Sequence, residues 1–558
     1  MPSLEAYRRS PLVNPAFTPL TDAAVQDGGL LYALNRRVLD MADIQAMSPL
    51  DAVLASKLSG YTDLPPLPDV EAAAASYGPT DPQAFLCLAR AVLTAASAGR
   101  DKDAMLRLLS AMRTFLSILP NLPEDTLFPA GADALRVTGD LYRRTGQPFL
   151  LSLLERLRRQ LPDVAGMMHS FPFLKAYQRS ANPGDNAEYH RRMERLATGS
   201  LTADAIAMTA HLALYSGSGR DAAAPKAGLS AVMRYHGAPT GAFLADPYLA
   251  GRDHARATDL PALCALTEAL ADVLMAGGDL AAAEHLELLM TNALPDMIGD
   301  GGIRSLQPIN RLPEDESCAL LPPSPPDTAC LLRALYALRR SVWMAREADE
   351  VALLLPISGG CVTRIDGVPL RIRCKAEGVF QRTLTLSVET KQPVLFTLLL
   401  RIPSYALNAT VALGSGKKPQ PVPTGALFPL RRTFKEGNEV TLQYTCAPRA
   451  ETGYRGSQSV FCGPFLMALS LPNQEAAWQY ALVGAEGDGA AASLIPDERD
   501  GLPLVYARAC DAIGWQSRDG FITPPPQGLP ITAEYELTLL PYAGTAGRIA
   551  AFPRGGRG

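Results

Sequence analysis

The chain has 558 residues, of which 47% are hydrophobic and 19% charged, and its net charge is −4. That length is enough for two or three domains around a large core. The slightly acidic balance excludes the basic footprint that nucleic acid or an anionic membrane surface requires. In chain order, residues 1–16 form a polar, Pro-punctuated arm. From residue 17 to 347 helix follows helix. Pro82 to Ser97, Ala104 to Leu119, Ala132 to Arg144, Phe149 to Leu161, Ala203 to Ser216 and Ala222 to His236 all carry apolar residues at helical spacing. Two more fall at Asp259 to Met275 and Leu280 to Ala293, separated by Gly277-Gly278 and capped by Asp279. After Trp343 the period shifts towards two. Val351 to Pro356, Val368 to Cys374, Pro393 to Pro403 and the alternating run up to Tyr444 read as strands of a β-sandwich.

Nine cysteines, at 87, 264, 318, 330, 361, 374, 446, 462 and 510, include no C-x-x-C pair. An odd, scattered set argues for free thiols in a reducing compartment. The opening Met1-Pro-Ser-Leu-Glu-Ala-Tyr-Arg-Arg lacks the apolar centre of a signal peptide, and no apolar run approaches a membrane span. The expectation is a cytoplasmic protein with no nucleic-acid or membrane partner, homo-oligomerisation being left open.

The stretch Gly241 to Asp300 carries a resemblance. Ala245-Asp-Pro-Tyr-Leu-Ala-Gly251, Ala257-Thr-Asp-Leu-Pro261, Gly278-Asp279 and Asn292-Ala-Leu-Pro295 follow one another at fixed spacing. Leu400-Arg-Ile-Pro403, Gly463-Pro464, Leu539-Leu-Pro-Tyr542 and Phe552-Pro553 come later in the same order. These words resemble those of the β-L-arabinofuranosidase family, glycoside hydrolase family 127 and its relatives, where the first two read G-D-E-H-L-A-G and G-T-E-L-C. The resemblance implies a multidomain α+β protein. Its parts would be an (α/α)6 helical barrel over 17–347, a β-sandwich over 348–475 and a second sandwich or extension over 476–558.

In that family a zinc-bound cysteine thiolate attacks the sugar and a glutamate is the general acid/base. A metal must lower the thiol pKa, several ligands must hold the metal, and a carboxyl must protonate the leaving oxygen. Carried over by position, the glutamate falls on Pro247, the zinc carboxylate on Asp259 and its cysteine on Pro261. The family's cysteine pair falls on Pro323 and Ser324, or in a register shifted by three on Pro326 and Asp327. A family histidine falls near Leu201. The resemblance therefore implies that neither metal nor cofactor is held here.

Other residues offer themselves with less specificity. Asp246 and Asp259 are two carboxylates of the kind a glycosidase needs roughly 5 to 10 Å apart, although Asp246 also suits a turn. Tyr248, Asp253 and His254 share the loop as candidate substrate-binding groups. Cys318 and Cys330 flank the Pro-rich loop, and a shifted register could bring one of them or Cys264 to a metal, although Cys264 and Cys330 fit buried structural thiols better. His285 suits a semi-buried helix position, Glu314-Asp315-Glu316 an acidic rim, and Ser324 has no adjacent base. Three functions stay open: a sugar-binding or regulatory relative with its zinc–cysteine set replaced, an active hydrolase using Asp246 and Asp259, and an interaction scaffold. Binding would be to an arabinose-containing or related glycan. An aromatic content of 7% with three Trp leans towards the scaffold.

Overall fold

The computed structural model describes residues 8–20, 24–25, 29–43, 46–60, 66–96, 102–180, 186–313, 318–414, 418–473, 475–484, 494–518, 521–525, 533–543 and 547–555. The expected acidic rim at 314–316 lies outside them. The chain divides into an N-terminal helical region and C-terminal sheets. Six helices, Pro49–Ser59, Pro82–Ala95, Gly131–Thr145, Gly199–Ser216, Leu260–Gly277 and Pro325–Val342, each pack against the next, and the sixth packs against the first. They are ring helices one to six below. Between successive ring helices the chain returns through outer segments such as Lys102–Ile118, Phe149–Gln160 and Gly219–His236. Their starts therefore gather at one end of the ring and their ends at the other.

The local sequence explains these helices. Ser48, Asp81, Asp259 and Ser324 each accept a backbone N–H of the first turn, and proline follows each of them within two residues. Gly278 stops ring helix five at φ +69°, where a side chain would be strained. Ring helix five is long and apolar enough to cross a membrane by composition, but it is largely buried between ring helices four and six.

Two sheets, one of five strands and one of seven, make up the region from Trp343 to Thr445. The third sheet, of nine strands, starts at Pro448 and ends at Gly555. The boundary thus falls near 446 rather than 475, because strands Pro448–Thr452, Gln458–Cys462 and Phe465–Leu471 pair with later strands. Short strands Thr18–Pro19 and Ala24–Val25 pair with Trp343–Ala345 and Gly359–Ile365, so this part of the chain belongs to the sandwich edges and not to the helices.

Helices and sheets meet in a dry polar seam. Asn292 receives the backbone N–H of Leu466 at 2.9 Å and donates to the Pro464 carbonyl at 2.9 Å. Arg401 is paired with Glu287, which also accepts from the Tyr405 hydroxyl at 2.6 Å. Arg548 grips Asp296 through 2.6 and 2.7 Å bonds, with side-chain exposures of 0% and 1%. Burial alone would raise the Asp296 carboxyl, but Arg548, Arg311 and Arg304 hold it below the usual carboxylate range. Breaking such a pair leaves an uncompensated charge, at a cost of about 3–5 kcal/mol. Asp296→Ala is therefore expected to destabilise the chain by that amount in urea unfolding. A loss below about 1 kcal/mol would mean that the Arg548 charge finds water or another acid.

Candidate functional site

The candidate site lies at the end of the ring where the ring helices start. Residues Gly241 to Gly251 form a compact loop whose Ala245 bonds to Ala257 and Asp259 through backbone contacts of 2.9 and 2.8 Å. Strand Ala257–Asp259 in turn pairs with Leu306–Pro308 and runs into ring helix five. Gly199 opens ring helix four directly against this assembly. A Cβ there would lie 2.5 Å from the Ala245 Cβ and 2.8 Å from that of Ala262, so only glycine permits the approach.

This geometry brings Asp246 and Asp259 together and gives them different partners. Asp246 faces Arg256, which donates from Nε at 2.8 Å and from a terminal nitrogen to the other carboxylate oxygen. The Ala257 N–H adds a third donor at 3.1 Å. Asp259 uses Oδ1 to cap ring helix five through Ala262 at 2.8 Å. Burial raises its carboxyl to about 7, with the nearby negative charge of Asp246 adding to the rise and the Ala262 bond opposing it. Asp246 is thus bound by an arginine, while the Asp259 carboxyl takes a proton near neutrality, as a general acid must.

Tyr248 extends the site outwards. Its hydroxyl donates to Glu194, which also pairs with Arg179 at 3.2 Å, and its ring lies 5.6 Å from that of Tyr177. Asp253 and His254 point elsewhere. Asp253 accepts the Thr523 hydroxyl at 2.7 Å, and the buried His254 ring contacts the Ser457 hydroxyl at 2.8 Å. Burial pushes the His254 imidazole down to about 4. These bonds tie the loop to the short strand Phe521–Thr523 and to the turn before strand Gln458–Cys462. His285 packs on the Gly241 carbonyl at 3.2 Å, and Cys318 is buried with its carbonyl accepting from Arg304 at 2.8 Å.

The zinc–thiolate set does not fit these residues. Ser324 caps ring helix six and bonds to Asp327 at 2.5 Å, while Pro261 and Pro323 offer no ligand atom. Cys264 is fully buried, and burial raises its thiol well above the ordinary value. Burial also pushes Cys330 up to about 11. No group of three or more His, Cys, Asp or Glu able to hold a metal ion occurs among the described residues.

Sequence reasoning missed the charged interior of the ring. Arg90 pairs with Asp133 at 3.0 Å and Glu268 at 2.5 Å, and Arg136 pairs with Asp133 and, at 2.5 Å, with Asp272. Asp272 also meets Arg340 at 2.8 Å and His211 at 3.1 Å, and Asp51 meets Arg333 at 2.9 Å. Asp204 stands beside this set. Burial, with the charges of Glu268 and Asp133, pushes its carboxyl up to about 8. A signal was available, since Glu268 and Asp272 are two acids one turn apart in an otherwise apolar 18-residue helix.

The fold is similar to that of solved glycoside hydrolases. Over 99% of this chain and 100% of the other, the structure superimposes on a glycoside hydrolase with a TM-score of 0.71 at 15% identity. It is also similar to a family 127 β-L-arabinofuranosidase from Geobacillus stearothermophilus T6, with a TM-score of 0.62, 15% identity and 94% of both chains covered. A second family 127 β-arabinofuranosidase matches with a TM-score of 0.59 at 14% identity, over 97% of this chain and 98% of that one. By sequence the chain matches no family model and no curated protein. At these identities the likeness shows the fold.

The raised Asp259 carboxyl has a measurable consequence. The folded protein binds this proton more tightly than the unfolded chain, whose aspartates titrate near about 3.9. The resulting stabilisation is complete below that value and is lost as pH rises through about 7. Asp259→Asn keeps a good helix cap. Wild-type stability should therefore fall relative to that variant between about pH 4 and pH 8 in urea titrations. Parallel curves for the two proteins would show that Asp259 is ionised throughout.

Proposed function

We propose that this chain is a glycoside-hydrolase-like protein, with an (α/α)6 barrel and two β units, that binds carbohydrate without zinc–thiolate chemistry. The observation that carries the proposal is the replacement of the thiolate set. Pro261, Pro323 and Ser324 stand at the ligand positions implied by the family resemblance, Ser324 is engaged as a helix cap, and the neighbouring thiols are protonated. A thiol at about 11 is almost wholly unreactive at neutral pH. The sugar-binding side of the proposal rests on Tyr177 and Tyr248, whose rings can face a pyranose or furanose, with Glu194 and Arg179 beside them for hydroxyls. The glycan class that fits the architecture is arabinose-containing or related.

One observation favours a second reading, hydrolysis by carboxylates. Asp259 can hold a proton near neutrality, with Asp246 close enough to add to that rise. Against it, both Asp246 oxygens already accept donors from Arg256 and Ala257, which ties that carboxylate down. Calorimetry with arabino-oligosaccharides, alongside an aryl β-L-arabinofuranoside assay, separates the readings. Sugar binding that Tyr248→Ala weakens at least tenfold, without turnover, supports the proposal. Turnover abolished by Asp259→Asn would replace it with the carboxylate reading, and neither binding nor turnover would leave an interaction scaffold.

Thiol chemistry provides a separate check. Iodoacetamide at about pH 7 should leave sugar binding intact, and alkylation of Cys330 should accelerate as pH rises towards 9 and beyond. Rapid, function-destroying alkylation of one cysteine at neutral pH would restore a thiolate role.

A further inference from the structure

A pocket of about 470 Å3 lies where the helical region, the seven-stranded sheet and the third sheet meet. That volume falls within the roughly 300–1,000 Å3 of small-ligand sites, which favour interfaces between structural units. Its helical wall comes from Met290 and Thr291 of a π turn, Leu289–Ala293, and from the start of helix Leu30–Met41. A π turn is a rare form that recurs at functional sites. Val379, Tyr444 and Cys446 come from the seven-stranded sheet and its connections, and Phe465 and Leu502 from the third sheet. Leu30 and Leu502 stay 39% and 50% exposed, so the pocket opens to solvent beside them, while Leu31, Met290 and Tyr444 are buried.

Most polar side chains of the lining are already engaged. Glu287 is paired with Arg401 and accepts the Tyr405 hydroxyl at 2.6 Å. The Ser358 hydroxyl accepts the Ala376 N–H at 2.9 Å, and Thr291 donates towards the carbonyls of Glu287 and Pro464 at 2.8 and 3.1 Å. Lys375 meets Glu377 at 2.7 Å on the exposed side. Tyr444 differs. It is 3% exposed, yet its hydroxyl has no hydrogen-bond partner among the described residues. Burial holds the phenol well above its ordinary value, with Glu287 adding to the rise and Arg382 opposing it, so at neutral pH it can donate. Arg382 lines the same pocket and gives two of its five N–H groups to the carbonyls of Gly378 and Pro356, at 3.0 and 3.1 Å. Helix Leu30–Met41 starts on this wall with no side-chain cap and no acidic residue in its first turn. Such a start presents unpaired N–H groups and the positive end of the helix dipole. Open donors select a group that only accepts, and a carboxylate does so. The apolar walls of Leu31, Met290, Val379 and Phe465 select an apolar body behind it.

We propose that this pocket binds a small organic acid with an apolar aromatic or aliphatic body, the Tyr444 hydroxyl, Arg382 and the start of helix Leu30–Met41 being the donors for its carboxylate. The pocket shares no residue with the group formed by Asp246, Asp259, Tyr177 and Tyr248, so the inference goes beyond sugar binding. Its walls exist only when the helices and both sets of sheets are in place. The acid therefore binds the folded chain alone and raises its unfolding midpoint.

The test is isothermal titration calorimetry on the full chain, with 3-phenylpropionate and octanoate as probes and 3-phenylpropanol as the uncharged control. The expected result is saturable one-to-one binding of at least one acid, with the alcohol at least tenfold weaker. Tyr444→Phe, which removes only an unbonded hydroxyl, should weaken the acid about tenfold, and Arg382→Met at least as much. Arg373→Met, on the exposed sandwich surface, and Tyr248→Ala, in the candidate sugar site, should leave it unchanged. Circular dichroism checks that each variant is folded, and if Arg382→Met is not, Tyr444→Phe decides. Absence of saturable binding of either acid to folded wild type, equal affinity for the alcohol, or full binding by folded Tyr444→Phe overturns the proposal. Loss of acid binding in Tyr248→Ala would place the acid at the sugar site instead, which also overturns it.

Discussion

Ionised side chains in a dry interior must be paired, and the ring is built around that constraint. Every ring helix contributes: Asp51, Arg90, Asp133 with Arg136, His211, Glu268 with Asp272, and Arg333 with Arg340. Taking any of these charges out of water costs several kcal/mol unless its partner arrives with it. Such networks add little net stability compared with an apolar core. They act by penalising each alternative register of six similar Ala- and Leu-rich helices, because sliding one helix by a turn would strand a guanidinium or a carboxylate. Asp272 illustrates the point, since three different helices reach it through Arg136, His211 and Arg340.

The seam between helices and sheets is where the amino-acid sequence was most legible. Asn292, Arg401, Pro464 and Tyr542 all belong to the short words that suggested the glycoside hydrolase family, and all of them sit in that seam. Those words specify how the two halves lock together, so they indicate architecture, and the structural neighbours agree on architecture. Helix positions were legible for local reasons: apolar spacing, Asp or Ser caps, and prolines at the first turn. The sheet boundary near 446 was not, because strand partnership is decided by pairing with residues up to about a hundred positions away in sequence.

The loop after Gly241 shows a similar division. Asp246 and Asp259 come together because strand Ala257–Asp259 folds back on the loop itself, a local event. Asp253 and His254 are held by Thr523 and Ser457, from the far end of the chain, and no local signal predicts that. An arginine reaches the Asp246 carboxylate, whereas Asp259 accepts the backbone amide of Ala262 as a helix cap.

Residues 8–20 and 24–25 touch three things: the finishing end of the ring, strand Trp343–Ala345 and strand Gly359–Ile365. A ribosome makes them before the ring helices, and their partners in the sandwich emerge more than three hundred residues later. Synthesis at about 5–20 residues per second leaves them waiting on the order of tens of seconds. During that interval the helices can assemble while one end of the ring still stands open to solvent. A stretch made before the helices is thus seated after them, and its docking registers that the sandwich has been made.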